Sequence, residues 1–345
     1  MALDASFEIL DLRHFAASTL CPVLEAEGEL WKQRLHWDYR PSAKLLMQYL
    51  DNHMLPGYAA LASDHVAGYV FCVYEETKAV IGDVFAMPLP AAGPPRGSTS
   101  ARPIEETLLK HLLELLLNSP QVDRIEAQLL LHPAGSHSDT FREAEFQIYR
   151  RHFMVQPLQG RGSPPPVNLP SSLILRGWRD DDLAPAARLI CAAYSGHPDS
   201  LINDQYCSVH GSMRFLNNIV RYSGCGAFCA PVSHVIVERT SREFAALILG
   251  SRVSRQSGHI TQVCVHPAYR RRGLARLLLS AVAAAFVRQG ASEISLTVTE
   301  ANTDAVNLYL SEGYHCAHVF DAAVWQRKDL VSEMRNLSAE GLRAR

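Results

Sequence analysis

The stretch His266–Leu279, "HPAYRRRGLARLLL", sets three consecutive arginines against a glycine and runs straight into an apolar helix. Just upstream, "HITQVCV" is an apolar, β-branched run with strand character. A strand, a tight turn and a helix in that order place the chain in the α/β class, because such a helix must cover one face of the sheet the strand joins. The same order constrains the chemistry. The first N–H groups of a helix are unpaired and carry roughly half a positive charge, so they hold an anion wherever the backbone can approach it. Gly273 and Ala275 are small where bulk would block that approach, and Arg270, Arg271 and Arg272 add guanidinium donors at its mouth. The combination suits a pyrophosphate.

Around this turn the second half of the chain reads as mixed α/β. "SLILRGW" has the character of a short buried strand, and "DDDLAPAARLICAAY" places acidic residues at a helix start before an apolar period near 3.6. "SHVIVERT", "FAALILGSRV" and "HITQVCV" are strand runs separated by polar turns, which predicts an antiparallel meander. A helix over about 273–289, the strand "EISLTVTE" and the helical "TDAVNLYLSEG" follow, and a crossover of that length implies parallel pairing late in the sheet.

The first half repeats this order more faintly. "FEILDLRHF" leads, "HVAGYVFCVYEE" and "AVIGDVFAMP" read as strands, "IEETLLKHLLELLL" as a helix and "RIEAQLLLH" as a strand. Setting "DVFAMP" (83–88) over "QVCVHP" (262–267) aligns a strand end and a proline in both halves. After that proline the first half carries "LPAAGPPRGSTSARP" in place of the arginines and glycine. "PLQGRGSPPPVNLP" (157–170) has no helical or strand period and reads as a linker. The expected organisation is therefore an altered copy over residues 1–156, a Pro/Gly-rich linker over 157–171 and an intact copy over 172–345, about two domains for 345 residues.

Bulk properties exclude other classes. With 33 Lys+Arg against 35 Asp+Glu the formal charge is -2, so no global field favours nucleic acid or an anionic membrane, and no aromatic stacking motif accompanies the one basic turn. No apolar run approaches the roughly 18 residues that span a bilayer, and "MALDASFEIL" lacks a signal-peptide pattern, so a cytoplasmic location is expected. The eight cysteines sit mostly among apolar neighbours without paired ligand spacing. They read as buried reduced thiols, with Cys225 and Cys229 the nearest approach to a cluster, and no metal is expected.

Arg270-Arg271-Arg272-Gly273-Leu274-Ala275 resembles the acetyl-CoA motif of the GNAT superfamily of N-acetyltransferases: Arg or Gln, two residues, Gly, one residue, then Gly or Ala. "NTDAVNLYLSEGY" (302–314) resembles that family's second segment of Asn, Ala, Leu-Tyr, then Gly and an aromatic. The resemblance is strong over about 172–330 and reaches the first half only in element order, where "EAEFQIYRRHF" echoes the second motif without its glycine. It implies two tandem GNAT-like domains, each a mixed, mostly antiparallel sheet flanked by helices, with the first copy degenerate. It further implies acetyl-CoA as co-substrate, held by Cys264 and Val265 through their main chains, by Arg270–Ala275 and by Asn302. In the family a tyrosine at the position of Tyr309 protonates the departing thiolate.

The residues themselves leave several roles open. Asn302 either contacts the cofactor or caps its helix. His266 fits a turn histidine. His259 is the candidate general base, Gln262 also flanks the strand that should face the acceptor and Glu238 lies on an earlier one, none with a supporting motif, and a water-mediated base is the alternative. A covalent acyl-Cys264 lacks an activating histidine in any identifiable motif. "YSGHPDSLINDQY" places Tyr194, His197, Asp199 and Asp204 in a polar span after an apolar helix, and its carboxylates favour a cationic acceptor. The expected activity is N-acetyl transfer to a primary amine of a small molecule by direct attack on the thioester. A noncatalytic acyl-CoA binder and a protein or peptide N-acetyltransferase stand as alternatives, and the oligomeric state stays open.

Overall fold

A computed structural model of the chain describes residues 7–88, 101–159, 169–221 and 226–328. In chain order the first half contributes β1 (Glu8–Asp11), α1 (Ala17–Leu35), α2 (Arg40–Asp51), β2 (Gly57–Ala62), β3 (His65–Glu75) and β4 (Lys78–Ala86). It continues with α3 (Arg102–Asn118), β5 (Arg124–Gln128), α4 (Ser138–Glu143) and β6 (Gln147–Pro157). The second half contributes β7 (Leu173–Gly177), α5 (Leu183–Tyr194), α6 (Asp199–Ile202), α7 (Val209–Arg221), β8 (Ala227–Phe228), β9 (His234–Glu238) and β10 (Phe244–Arg252). β11 (Ser257–Val265), α8 (Leu274–Arg288), β12 (Glu293–Thr299), α9 (Thr303–Ser311) and β13 (His315–Gln326) complete it.

Contacts divide the chain into two compact units that do not follow chain order. The first holds 1–30, 43–149 and 320–345, and the second holds 31–42 and 150–319. A segment from the first half thus joins the second unit, and the end of β13 joins the first. Residues 160–168, most of the expected linker, and 89–100, most of the insert after Pro88, lie outside the described residues.

In the first unit the strand order is β1-β2-β3-β4-β5, with the end of β13 paired antiparallel to β5 over Ala322–Gln326. Among its described strands only β4 and β5 pair in parallel, from Lys78–Arg124 to Ile81–Ala127. α3 lies in the crossover between them, as parallel neighbours require. Its Ile104, Leu108, Leu109, Leu112, Leu113 and Leu116 recur at helical spacing and are buried against the sheet with Val70, Ile81, Val84 and Ile125.

The second unit has the order β6-β12-β11-β10-β9-β7, with β8 on β10. β9, β10 and β11 form the antiparallel meander, and β11 pairs in parallel with β12 from Ser257–Glu293 to Ile260–Leu296. Side chains alternate across this sheet. Ile236, Ala246 and Ile248 pack with α8, and Val235, Val237, Leu247, Leu249 and Cys264 pack with α5 and α7. α8 comes so close that a Cβ on Gly258 would lie 2.5 Å from the ring of Phe286. Both units are α/β, each a mixed, mostly antiparallel sheet with helices against it.

Among the described residues no helix is long and apolar enough to cross a membrane. The described cysteines are all free, but only Cys72 and Cys264 are buried, and Cys207 and Cys316 are exposed. Packing therefore accounts for fewer of them than their apolar neighbours suggest, since Cys21, Cys191 and Cys229 are only half-buried. Cys225 lies outside the described residues.

Candidate functional site

The site is set by a divergence of two strands. β11 bulges at Thr261: Leu249 pairs with Gln262 and Gly250 with Ile260, which leaves Thr261 without an opposite residue. On the other side the parallel pairing with β12 ends at Ile260–Leu296, while β11 runs on to Val265 and β12 to Thr299. The two strands therefore part, and the stretch 261–265 borders an opening. Val263 N–H is taken by the Gln262 side chain (Oε1, 2.9 Å), and His266 N–H by the Ala245 carbonyl (2.9 Å) on the far side. Main-chain groups alternate along a strand, so the amide of Cys264 turns toward β10 and that of Val265 toward the opening.

The arginine turn follows. His266 caps a short 3-10 turn, Pro267–Tyr269, by accepting at Nδ1 from Ala268 N–H (3.3 Å), which is the turn role its position suggests. Arg270 turns inward and donates from Nη2 to the Ala193 carbonyl near the end of α5 (2.7 Å). Arg272 lies over the Tyr269 ring, 5.2 Å from its centroid, and donates to the Ala268 carbonyl (3.1 Å). Arg271 and Gly273 both have positive φ, +60° and +74°, which folds the backbone so that consecutive N–H groups point the same way. Gly273 is the N-cap of α8, no side chain caps that end, and a Cβ there would meet nothing within 4 Å. Leu274 is buried beneath the turn and Ala275 is half-buried. An exposed cradle of main-chain donors at the start of a 15-residue helix fits a diphosphate. Of the three guanidiniums, Arg270 and Arg272 also hold the turn itself in shape.

At the opening the structure gathers most of the polar residues singled out from the sequence. Tyr194 donates its hydroxyl to Gln262 Oε1 (2.8 Å), stacks on Tyr206 (4.4 Å between centroids) and meets the His197 ring edge-on. His197 Nδ1 accepts from Asp199 N–H (3.1 Å), and its Nε2 is 3.2 Å from Asn302 Nδ2. Asn302 Oδ1 also accepts from Ala305 N–H (3.3 Å), so Asn302 caps α9 and touches His197 at once. Thr299, the last residue of β12, donates its hydroxyl to Asp199. Asp204 opens the next short turn, whose Tyr206 is the one stacked on Tyr194.

Electrostatics tie this group to Tyr309 on α9. Burial pushes the Tyr309 phenol well above its ordinary value, and the neighbouring Asp199 and Cys264 push the same way. Burial likewise raises the Cys264 thiol, against the opposing pull of Arg270. Tyr309 is thus a protonated donor at neutral pH, and Cys264 is a thiol, which disfavours a covalent acyl-cysteine. Burial lowers His197 from its ordinary value, with Asp199 opposing and Arg270 assisting.

His259 stands apart from this group. It lies in the paired part of β11, bonded through Nδ1 to Ser295 Oγ (2.9 Å), with Trp37 edge-on at 5.0 Å and Phe153 stacked at 6.2 Å. Burial, assisted by Arg151, lowers it to about 3. Those surroundings are those of a packed neutral ring. A pocket of about 250 Å³ lined by Trp31, Trp37, Tyr39, Gly226 and Arg252 also belongs to this unit, and no member of the Tyr309 group lines it.

Gln262 and Thr299 are the members of the group that residue type alone does not reveal. Gln262 accepts from both Tyr194 and Val263, and its Nε2 is buried without a partner. In the sequence Gln262 flanks the strand expected to face the acceptor and aligns with Asp83 of the other half, but no motif marks it.

Residues 216–314 match the family model of the acetyltransferase (GNAT) family. None of the curated proteins matches the sequence. Among solved structures, a GCN5-related N-acetyltransferase from Sphaerobacter thermophilus is similar at 16% identity and TM-score 0.60, covering 94% of this chain and 97% of its own. A tandem GNAT protein from the clavulanic acid biosynthesis pathway is similar at 14% identity and TM-score 0.55, covering 93% and 98%. A GNAT-family acetyltransferase from Colwellia psychrerythraea is similar at 10% identity and TM-score 0.52, covering 93% and 100%. At these identities the structural likeness is one of fold. The family match lies across α8, β12 and α9, and over nearly its whole length the chain has the fold of tandem GNAT proteins.

Proposed function

We propose that the second unit transfers an acetyl group from acetyl-CoA to a primary amine of a small, cationic molecule. The observation that carries this reading is the occurrence of three parts in one unit. These are the positive-φ turn at Arg271 and Gly273, the Val265 amide facing the β11/β12 opening, and the buried Tyr309 phenol beside it. The turn suits the diphosphate, the opening suits the extended arm that ends in the thioester, and Val265 N–H suits the carbonyl oxygen as it gains charge.

In this reading the neutral amine attacks the thioester carbonyl carbon, the C–S bond breaks, and Tyr309 gives its proton to the departing sulfur. The excess proton on nitrogen leaves through water and a proton returns by water to Tyr309, since His259 is walled off by Trp37 and Phe153. The Asp199 carboxylate, held by Thr299 and 3.8 Å from His197, anchors positive charge on the acceptor. Gln262 offers its unpartnered Nε2–H to an acceptor oxygen.

The test is release of free thiol from acetyl-CoA across a panel of amines, with products identified by mass spectrometry. Acetylated product from at least one polyamine or amino-sugar, with none from neutral alcohols, supports the reading. Turnover confined to peptide amines would move the assignment to protein acetylation, and no turnover with any amine would contradict catalysis.

A further inference from the structure

We propose that the first unit is a metal site: Glu105, His132 and His137 are protein ligands for a divalent transition-metal ion, and zinc is the ion their chemistry fits best. The expectation of no metal rests on cysteine spacing, whereas these ligands come from positions that only folding brings together. Glu105 lies in the first turn of α3, and the two histidines bracket "HPAGSH" between β5 and α4.

Their inner atoms form a triangle. His137 Nε2 is 3.2 Å from His132 Nδ1 and 3.6 Å from Glu105 Oε2, and Glu105 Oε2 is 3.9 Å from His132 Nδ1. A tetrahedral zinc with bonds of about 2.0–2.1 Å sets its ligand atoms about 3.3 Å apart, so the triangle need only tighten slightly. Hydrogen bonding alone leaves it unclosed. One N–H shared between the two rings accounts for the shortest side and leaves the carboxylate oxygen outside hydrogen-bond reach of both rings.

The hydrogen-bond geometry suits a metal. The Val84 carbonyl can only accept, so its 2.7 Å contact with His132 Nε2 fixes the proton there and turns the Nδ1 lone pair inward. Asp83 stands 3.6 Å behind the same Nε2, which supplies the outer carboxylate and carbonyl that metal-bound histidines ordinarily carry. His137 is buried and its Nδ1 has no hydrogen-bond partner.

The loop is also stiff before any ion arrives. Asp321 Oδ2 accepts from Gly135 N–H at 2.7 Å and from the Ser138 hydroxyl at 2.6 Å, which ties the residues between and after the histidines to β13. Two imidazoles and one carboxylate select zinc and its first-row neighbours over calcium or magnesium, and three protein ligands leave a fourth position for water.

The test uses the full chain, stripped with a chelator, confirmed folded by circular dichroism, and titrated with zinc sulfate and, separately, cobalt chloride. The expected result is one equivalent of zinc per chain, a higher Tm with zinc, and a four-coordinate cobalt spectrum without a thiolate charge-transfer band. Glu105→Gln and His137→Gln, each confirmed folded, weaken zinc by at least about 100-fold, beyond the roughly 10–100-fold that outer partners contribute. Absence of stoichiometric zinc and cobalt binding overturns the proposal, as does binding unchanged in both folded variants. If the variants fail to fold, the cobalt spectrum of the wild type decides, because a thiolate band would put the ion on cysteine.

Discussion

In the first unit β4 bulges at Gly82 and loses its parallel partner after Ile81, and in the second β11 bulges at Thr261 and loses its partner after Ile260. The residue after each bulge turns its side chain onto the next amide: Asp83 Oδ1 accepts from Val84 N–H at 2.8 Å, and Gln262 Oε1 from Val263 N–H at 2.9 Å. Up to that point the two frames match residue for residue. Beyond it they differ. Gln262 is neutral and receives a tyrosine hydroxyl, and the opening beside it is lined by Tyr194, Asp199 and Tyr309. Asp83 carries a carboxylate that faces His132, and His132, His137 and Glu105 converge where the second unit keeps its polar opening. The backbone makes the opening in both copies, and a handful of side chains decides what fills it.

Breaking the second frame at its turn carries the largest expected effect. Gly273→Glu puts an anion in the diphosphate cradle and forces a side chain onto positive φ, so acetyl-CoA affinity falls by at least about 100-fold in calorimetry. Tyr309→Phe removes the proton donor and leaves the cradle alone. It lowers kcat by about 100-fold with the acetyl-CoA Kd unchanged, and equal losses in both would show that the phenol serves binding instead. Asp199→Asn sharpens the contrast with the first unit at the acceptor side. The KM of a cationic amine rises about 10-fold while that of acetyl-CoA holds, as measured by steady-state thiol release.

The smallest effect is on stability. His259 is lowered to about 3 from an ordinary value of 6.5. Between those values the unfolded chain binds a proton that the folded chain refuses, so stability falls as pH falls through that window, by at most about 1.4 kcal/mol per unit. His259→Phe keeps a ring between Trp37 and Phe153, and Ser295 retains its bond to the Gly258 carbonyl, so the variant loses less Tm between pH 7 and pH 5 than the wild type. An unchanged Tm difference would mean that other groups carry the acid limb. His137 shifts in the same direction in the first unit, to about 3.

Local signals made much of this legible. The meander, the late parallel pair and the arginine-glycine turn each follow from short-range pattern and turn chemistry, and the alignment of Asp83 with Gln262 marks a real structural equivalence. Long-range assembly did not show. Nothing in "WKQRLHWDYRPS" (31–42) announces that its tryptophans join the second unit, where Trp37 packs on Phe153 and His259. Nor does "DAAVWQ" announce that it pairs with β5. Side-chain direction is equally hidden. The arginines read as three free donors, yet Arg270 binds the Ala193 carbonyl, and the main-chain donor at the opening is Val265 rather than Cys264 because strand alternation is settled by the bulge. His132 and His137 sit in a loop whose geometry depends on Asp321, far along the chain.

The most direct test of the contrast between the two units is calorimetric titration of acetyl-CoA into the purified chain and into Gly273→Glu, read for stoichiometry. The account predicts one site per chain in the wild type and none in the variant. Two sites in the wild type, or one that survives the substitution, would show that the first unit binds the cofactor and would contradict the division of roles.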